Sequence, residues 1–388
     1  MKPLGLVPVH SPAGAVPGCP TTCANHAREL ARFEWWIGDP GDPASLVADF
    51  LARHGLGGFD PASGHAGGHI CGAALLISAA GGAAMITQAG GGGRGVTPDV
   101  VAVVYERGPR LGEPPASVGR WSLGPWRPSW TRRQHADAVQ EVRSAIARGD
   151  VYQVNIVGHA SAGYTGDPSA ALARVAATPG ARYGGMLHGE GWAIACASPE
   201  TLLELRQGRL ITRPIKGTAP ATVQGAADLR SSQKERAEHI MIVDLERNDL
   251  ARVAVTGSVR WPRLFAVRRW SNLWQAESDI EARLRAGVGL AELLRAVCPG
   301  GSVTGAPKIA ALAEIARLEP VGRGPSMGAL GWIGPDHLDL GLTIRTVAVD
   351  GERVHLWAGG GITIDSDPLS EVAEAEAKAA PIRAALRA

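Results

Sequence analysis

Two pairs of glutamates share one spacing: Glu235 with Glu238, and Glu371 with Glu374. On a helix, residues three apart lie on one face, so each pair concentrates negative charge that repels itself unless something compensates it. Lys234, Arg236 and Lys378 would do so on a solvated helix face. The chemical alternative is Mg2+, which typically takes one or two protein carboxylates and completes its shell with water and substrate oxygens. Spacing alone leaves both readings open. Lys216, in Arg213-Pro214-Ile215-Lys216-Gly217-Thr218, follows a strand-like run and precedes a predicted loop rich in Ala, Gly and Pro. Exposed, it is a surface charge. Buried, its pKa falls from about 10.4 and the neutral amine becomes available as a nucleophile.

Glu200, in Ala197-Ser198-Pro199-Glu200, ends a predicted strand, where an acid can point into a cleft or stand as a turn carboxylate. The small-residue loop Cys298-Pro299-Gly300-Gly301-Ser302-Val303-Thr304-Gly305-Ala306-Pro307-Lys308 leads into a helix opened by proline. Amides at such a helix start favour an anion, or are simply capped. Arg345 and the run Ala358-Gly359-Gly360-Gly361-Ile362-Thr363 fall on neighbouring predicted strands, where a guanidinium and glycine amides suit a carboxylate. Neither Cys19, Cys23 and His26 nor His65, His69 and Cys71 has a complete structural-zinc spacing.

These residues need a scaffold, and the apolar periodicity supplies one. Helical spacing predicts helices over Thr131–Arg148, Gln233–Asn248, Gly289–Val297, Pro307–Arg317 and from Pro368 onward. Strands are predicted at Val100–Val104, Val151–Val157, Gly191–Ala197, Leu202–Leu205, Arg209–Ile215, Met327–Ile333, Leu340–Val349 and Arg353–Ala358. The apolar run Ile70–Ile86 is too short for a membrane span and reads as buried strands around a glycine turn. Gly90–Gly95 lacks the Lys-Ser or Lys-Thr of a phosphate loop and reads as a flexible turn.

Composition narrows the class. The 388 residues are 45% hydrophobic and 20% charged, which excludes disorder, collagen and coiled coil. With 39 Lys plus Arg against 37 Asp plus Glu, the net charge of +2 gives no footprint for nucleic acid or an anionic membrane. Five scattered cysteines make no disulfide framework, and the first residues carry no secretion-type apolar segment, so a cytoplasmic setting is expected. The eleven tryptophans lack interleaved basic residues and read as packing groups.

Taken in order, these stretches resemble the chorismate-utilising enzymes, which include the synthase components for anthranilate and aminodeoxychorismate and the isochorismate and salicylate synthases. The resemblance runs from Tyr152 to Pro381. It is carried by Tyr152-Gln153-Val154-Asn155, Ala197–Glu200, Pro214–Thr218, Glu235–Leu250, Gly305–Lys308, Ile344-Arg345-Thr346 and Ala358–Pro368. It implies an α/β fold of α+β type: a large two-sheet, mostly antiparallel sandwich with outer helices, residues 131–388 forming the chorismate-binding region and 1–130 completing the fold.

The resemblance also implies roles. Glu238 and Glu374 would be magnesium ligands, with Glu235 and Glu371 beside them. Arg345, Gly359, Gly360, Gly361 and Lys378 would grip the carboxylates of chorismate, and Gly217, Thr218 and Ser302 would line the same pocket. Gln153 stands where the water-adding relatives have a lysine base. Lys216 stands where anthranilate synthases usually have alanine, which marks the aminodeoxychorismate type. There the lysine attacks ring carbon 2 while Glu200 protonates the hydroxyl leaving carbon 4. Gln275 replaces the histidine of anthranilate-forming relatives, and Ser326 a tyrosine over the ring. Without a Gly-x-Cys-x-Gly glutaminase segment in the sequence, a separate amidotransferase partner is expected, forming a heterodimer for 4-aminobenzoate and folate synthesis. Anthranilate synthase, isochorismate synthase and an inactive chorismate-binding subunit are the alternatives.

Overall fold

The computed structural model describes residues 27–59, 69–87, 95–107, 121–270 and 273–387. Cys19, Cys23, His26, His65 and most of the Gly90–Gly95 run lie outside them. Two antiparallel sheets dominate the described residues. The larger, of ten strands, runs in the spatial order Ala27–Trp35, Val100–Arg107, Ile70–Ile77, Ala329–Ile333, His337–Leu342, Thr201–Arg206, Arg209–Arg213, Leu273–Arg283 and Ile215–Pro220, with Arg260–Trp270 also paired to Leu273–Arg283. The smaller runs Gly305–Ala306, Gln153–Thr165, Arg353–Ile362, Thr346–Val349, Trp192–Ser198 and Tyr183–Gly189.

Alternation along the smaller sheet's strands builds two cores at once. Ile194 and Cys196 join Leu203, Leu205, Leu330 and Leu340 of the other sheet. Their neighbours Ala193, Ala195 and Ala197 pack instead with Leu172 and Val175 of the Ser169–Ala176 helix and with Ile382 and Leu386 of the Pro368–Arg387 helix. Side chains at period two point to opposite faces, so a sheet covered on both sides reads as an unbroken apolar run. The Arg132–Arg148 helix covers the Gln153–Thr165 strand through Val139, Val142 and Ile156. It is bounded as its sequence demands, by a Thr131–Gln134 capping box and by Gly149 at φ 83°.

Three predicted elements change. Ile70–Ile77 is a strand, but Ala79–Thr87 is a helix rather than a second strand. Ser78 opens it by accepting from the Gly81 amide at 2.8 Å. Glycine is needed there because a Cβ on Gly81 would lie 2.5 Å from the Asp99 carbonyl oxygen. The Leu340–Val349 run breaks into two strands of different sheets, His337–Leu342 and Thr346–Val349, with Arg345 at φ 52° between them. Arg209–Ile215 likewise ends at Arg213, and Lys216 belongs to a new strand, Ile215–Pro220, followed not by a loop but by the Val223–Ser231 helix that Thr222 caps. No described helix is long and apolar enough to cross a membrane.

Candidate active site

Glu200 sits where the chain crosses from the smaller sheet to the larger. The strand Trp192–Ser198 ends, Pro199 and Glu200 turn, and Thr201–Arg206 begins. The crossing leaves the Glu200 side chain 5% exposed between the sheets. Its Oε1 accepts from the Ser302 hydroxyl at 2.8 Å and from the Ile215 amide at 3.3 Å. The next residue after Ile215 is Lys216, whose Nζ donates to the Ser302 carbonyl at 3.5 Å. Ser302, itself 3% exposed, therefore touches both groups, with its hydroxyl on the acid and its carbonyl on the amine. The opposing strand is glycine at 361 for a steric reason. A Cβ there would lie 3.2 Å from Lys216 Nζ and overlap the Gln153 amide.

Burial acts on the two ionisable groups in opposite directions. Desolvation raises the Glu200 carboxyl above its ordinary range, with the Lys216 charge and the Ser302 hydroxyl opposing the rise. Desolvation lowers the Lys216 amine, with Glu200 opposing and Lys378 adding to the fall. The neutral forms of both are thus brought closer to neutral pH, the state a nucleophilic amine and a general acid require.

The four glutamates lie at the starts of two helices. Ser232 caps Gln233–Ala251 by accepting from the Glu235 amide at 3.2 Å, and Asp367 accepts from the Ser370 amide at 2.8 Å at the start of Pro368–Arg387. Glu235 and Glu371 stand in first turns, where the helix dipole favours negative charge. Burial raises the Glu238 carboxyl, and Glu235 and Glu371 raise it further. Burial and Glu374 raise Glu371, whose Oε1 accepts from Ser366 at 2.7 Å. Burial opposes the charge of Glu374, but Lys378 at 2.6 Å outweighs it and holds that carboxyl below its ordinary range.

Gly360 lies under this group: a Cβ on it would be 3.2 Å from Glu371 Oε2, 3.5 Å from Lys378 Nζ and 3.7 Å from Glu374 Oε1. A Cβ on Gly217, which stands at φ 81°, would likewise be 3.0 Å from Glu235 Oε2. Among the described residues no three His, Cys, Asp or Glu side chains converge tightly enough to hold a metal ion alone. A cation here would take one or two of these carboxylates and complete its shell with other oxygens, as Mg2+ does.

Other expected residues are placed less uniformly. The Lys378 ammonium donates to the Gly359 carbonyl at 3.0 Å, and its charge reaches Lys216 and Glu200. Arg345 is half-buried, its pKa lowered by desolvation with Glu200 opposing. The strand it precedes, Thr346–Val349, pairs Val347 with Leu356 of the strand that also carries Gly359–Gly361. Thr218 is exposed on its strand, opposite Gln275. Ser326 is fully buried and donates to the Thr343 carbonyl at 3.3 Å.

Sequence reading passed over several buried polar groups. Gln153, read only as a missing lysine, is 1% exposed, and its Nε2 has no hydrogen-bond partner among the described residues. His239, beside Glu238 in sequence, is fully buried with its Nε2 on the Ser278 hydroxyl, and burial lowers its pKa to about 4. Glu246 and the pair Glu319–Arg323 are buried as well. Glu319 ends the Lys308–Leu318 helix as its C-cap and Arg323 lies in the loop beyond it, so no helical spacing announced the last pair.

A family model described as chorismate binding enzyme matches residues 99–384. The chain belongs to this family. Among curated members of the chorismate binding enzymes it is 40% identical over 256 residues to aminodeoxychorismate synthase component 1 of Salmonella typhimurium, covering 64% of this chain and 56% of that protein. It is 39% identical over 272 residues to anthranilate synthase component 1 of Streptomyces coelicolor, covering 68% and 53%. The chain thus aligns with little more than half the length of these curated relatives. Anthranilate synthase component I of Streptococcus pneumoniae shares the fold with a TM-score of 0.77 at 23% identity, over 98% of this chain and 95% of that one. The menaquinone-specific isochorismate synthase of Escherichia coli shares it with a TM-score of 0.70 at 18% identity, over 93% and 85%. The α/β architecture with two antiparallel sheets is therefore that of the chorismate-utilising enzymes, as the sequence motifs imply.

Proposed function

We propose that this protein aminates chorismate at ring carbon 4, as an aminodeoxychorismate synthase component I, with ammonia supplied by a separate glutaminase subunit. The observation that carries the reading is Lys216 held with Glu200 through the two ends of Ser302, a pairing of amine and acid that burial drives toward their neutral forms. At the two positions where water-adding and aromatising relatives carry their base, this chain has Gln153 and Gln275. Gln153 and Gln275, both buried, cannot take a proton.

In the proposed reaction the neutral Lys216 amine attacks ring carbon 2, the ring double bonds shift, and the hydroxyl at carbon 4 leaves as water with the proton of Glu200. The new secondary ammonium is then the leaving group: ammonia adds at carbon 4, the bond from carbon 2 to the lysine nitrogen breaks to release the neutral amine, and the ammonium formed at carbon 4 returns a proton to the Glu200 carboxylate, so chorismate and ammonia give 4-amino-4-deoxychorismate and water. Ser302 holds both groups at the same carbon frame, and Arg345, Lys378 and the Gly359–Gly361 backbone orient the substrate carboxylates. Glu238 and Glu374, with Glu235 and Glu371 beside them, would hold Mg2+. When bound, the ion supplies positive charge for the ring carboxylate. The repulsion among these carboxylates and the bare Gly360 beneath them support that placement. The relatives' designation as component 1 supports a partner subunit.

The test is a product assay on the purified chain with chorismate, Mg2+ and a high ammonium concentration, run beside Lys216→Ala. Wild type is expected to form aminodeoxychorismate by mass spectrometry and the variant to lose it. Anthranilate or isochorismate from the wild type would return the assignment to the family level.

A further inference from the structure

Arg323 lies outside the reacting groups and is 7% exposed. Its guanidinium makes four hydrogen bonds. Nη1 donates to the Val303 carbonyl at 2.7 Å, and Nη2 to the Asn155 carbonyl at 2.6 Å and to Glu319 Oε1 at 2.6 Å. Nε donates to Glu319 Oε2 at 2.8 Å. Glu319 in turn accepts from the Val157 amide at 2.9 Å. Both side chains are almost wholly enclosed, at 6% and 3% exposure.

A buried ion pair is weak support for stability, because desolvating two charges offsets most of their attraction. What the fork does supply is position. Planar guanidinium donors fix two carbonyls at once, which a single ammonium cannot do. One of these carbonyls follows Ser302 directly, and the other lies two residues beyond Gln153 on the Gln153–Thr165 strand. The same loop and strand are also joined by the Asn155 amide donating to the Thr304 carbonyl at 2.8 Å. Ser302 then reaches Glu200 through its hydroxyl and Lys216 through its carbonyl, while the Gln153 amide abuts the Gly361 position beside Lys216.

We infer that Arg323 and Glu319 are a positioning pair for the reaction. They clamp the Ser302 loop to the Gln153 strand and so set where the amine and the acid stand relative to each other. This inference rests on the proposed roles of Lys216 and Glu200. Neither residue of the pair touches them, so its effect runs through Ser302.

The experiment compares wild type, Arg323→Met, Arg323→Lys and Glu319→Gln as full chains with chorismate, Mg2+ and ammonium. It reads kcat as chorismate consumed, KM for chorismate, melting temperature, and amide exchange of residues 300–307. A displacement near 1 Å in a reacting group costs about 100-fold, so Arg323→Met is expected to lose about 100-fold in kcat with KM within about threefold. Arg323→Lys recovers part of the loss, Glu319→Gln loses about tenfold, and loop exchange rises in parallel. A lower melting temperature with kcat within about threefold of wild type would make the pair merely structural and overturn the inference. If Arg323→Met does not fold, Glu319→Gln, which keeps volume and shape, is scored on the same kcat-against-KM split. Should wild type form a different product, the proposed function fails while chorismate consumption still scores the clamp. Should it consume none, loop exchange alone scores it: raised exchange in Arg323→Met supports the pair and unchanged exchange overturns it.

Discussion

Lys216 and Glu200 meet as opposite charges under cover, whereas Glu238, Glu371 and Glu374 meet as like charges at the rim of the same site. The inner pair is complete as built: each group has protein partners, and burial offers both a neutral form. The outer group is incomplete as built. Two of its carboxyls are pushed up by burial and by neighbouring glutamates, and Glu374 is held down chiefly by the half-exposed Lys378, with Lys216 and Lys234 adding to the fall. One half of the site is thus tuned by desolvation and needs nothing added. The other stores repulsion that a divalent cation would relieve.

The largest expected effect separates the halves. Lys216→Ala should cost on the order of 10^4-fold in aminodeoxychorismate formation, the scale of removing a nucleophile. Its Mg2+ affinity, measured by calorimetry, should hold or rise, because the variant removes a positive charge that acts on Glu238 and Glu374. A parallel collapse of metal binding would show that the two halves are one unit and break the comparison.

Glu200→Gln comes next, with a loss of about 10^2- to 10^4-fold. It also sharpens the pH argument. Turnover rises with pH as Lys216 loses its proton, from a pKa below the ordinary lysine value, and falls as Glu200 loses its own, from a pKa above the ordinary glutamate value. The wild-type profile is therefore a bell, and the variant should keep the rising limb and lose the falling one. A variant profile that still falls would take the general-acid role from Glu200.

At the rim the expected effects are smaller. Glu238→Gln should weaken Mg2+ by about 10- to 100-fold in the concentration needed for half-maximal rate, with much of kcat regained at saturating metal. In wild type, Mg2+ at 100 times its dissociation constant should raise stability by about 2.7 kcal/mol, read as a rise in melting temperature without substrate. No rise in wild type would remove the metal from the free enzyme and leave the carboxylates to bind it with substrate only.

Legibility in the sequence followed the same division. The rim was visible because paired glutamates at helical spacing are local features, and the helices that carry them begin at Ser232 and near Asp367, both ordinary cap residues. Strands with apolar runs, such as Val100–Arg107 and Trp192–Ser198, were also local. The inner site was legible only as a set of motifs. Glu200 and Ser302 are a hundred residues apart, and what joins them is a chain crossing between sheets. The break at Arg345 was hidden because its apolar flanks, Leu340–Ile344 and Thr346–Val349, read as one strand although they enter different sheets. Arg323 was missed for the same reason: its partners other than Glu319 are carbonyls set by tertiary packing.

A second buried acid tests whether burial alone makes an acid useful. Glu246 is 6% exposed and accepts from the Thr212 hydroxyl at 2.6 Å, with no cation bonded to it among the described residues. Burial raises its carboxyl well above the ordinary range, Thr212 opposes, and the charges of Glu200 and Asp249 add to the rise. In the window from the unfolded value of about 4.3 up to the raised folded value, the native state binds the extra proton. Stability therefore falls as pH rises through that window, the reverse of a salt-bridged carboxylate. Glu246→Gln keeps the shape and removes the charge. It should melt with wild type at pH 4 and on the order of 2 °C higher at pH 8, with kcat within about threefold. Equal melting at both pH values would mean that Glu246 holds its charge in the fold without cost. A large loss of kcat would place it beside Glu200 in the inner half, where an acid is kept for its proton rather than tolerated despite it.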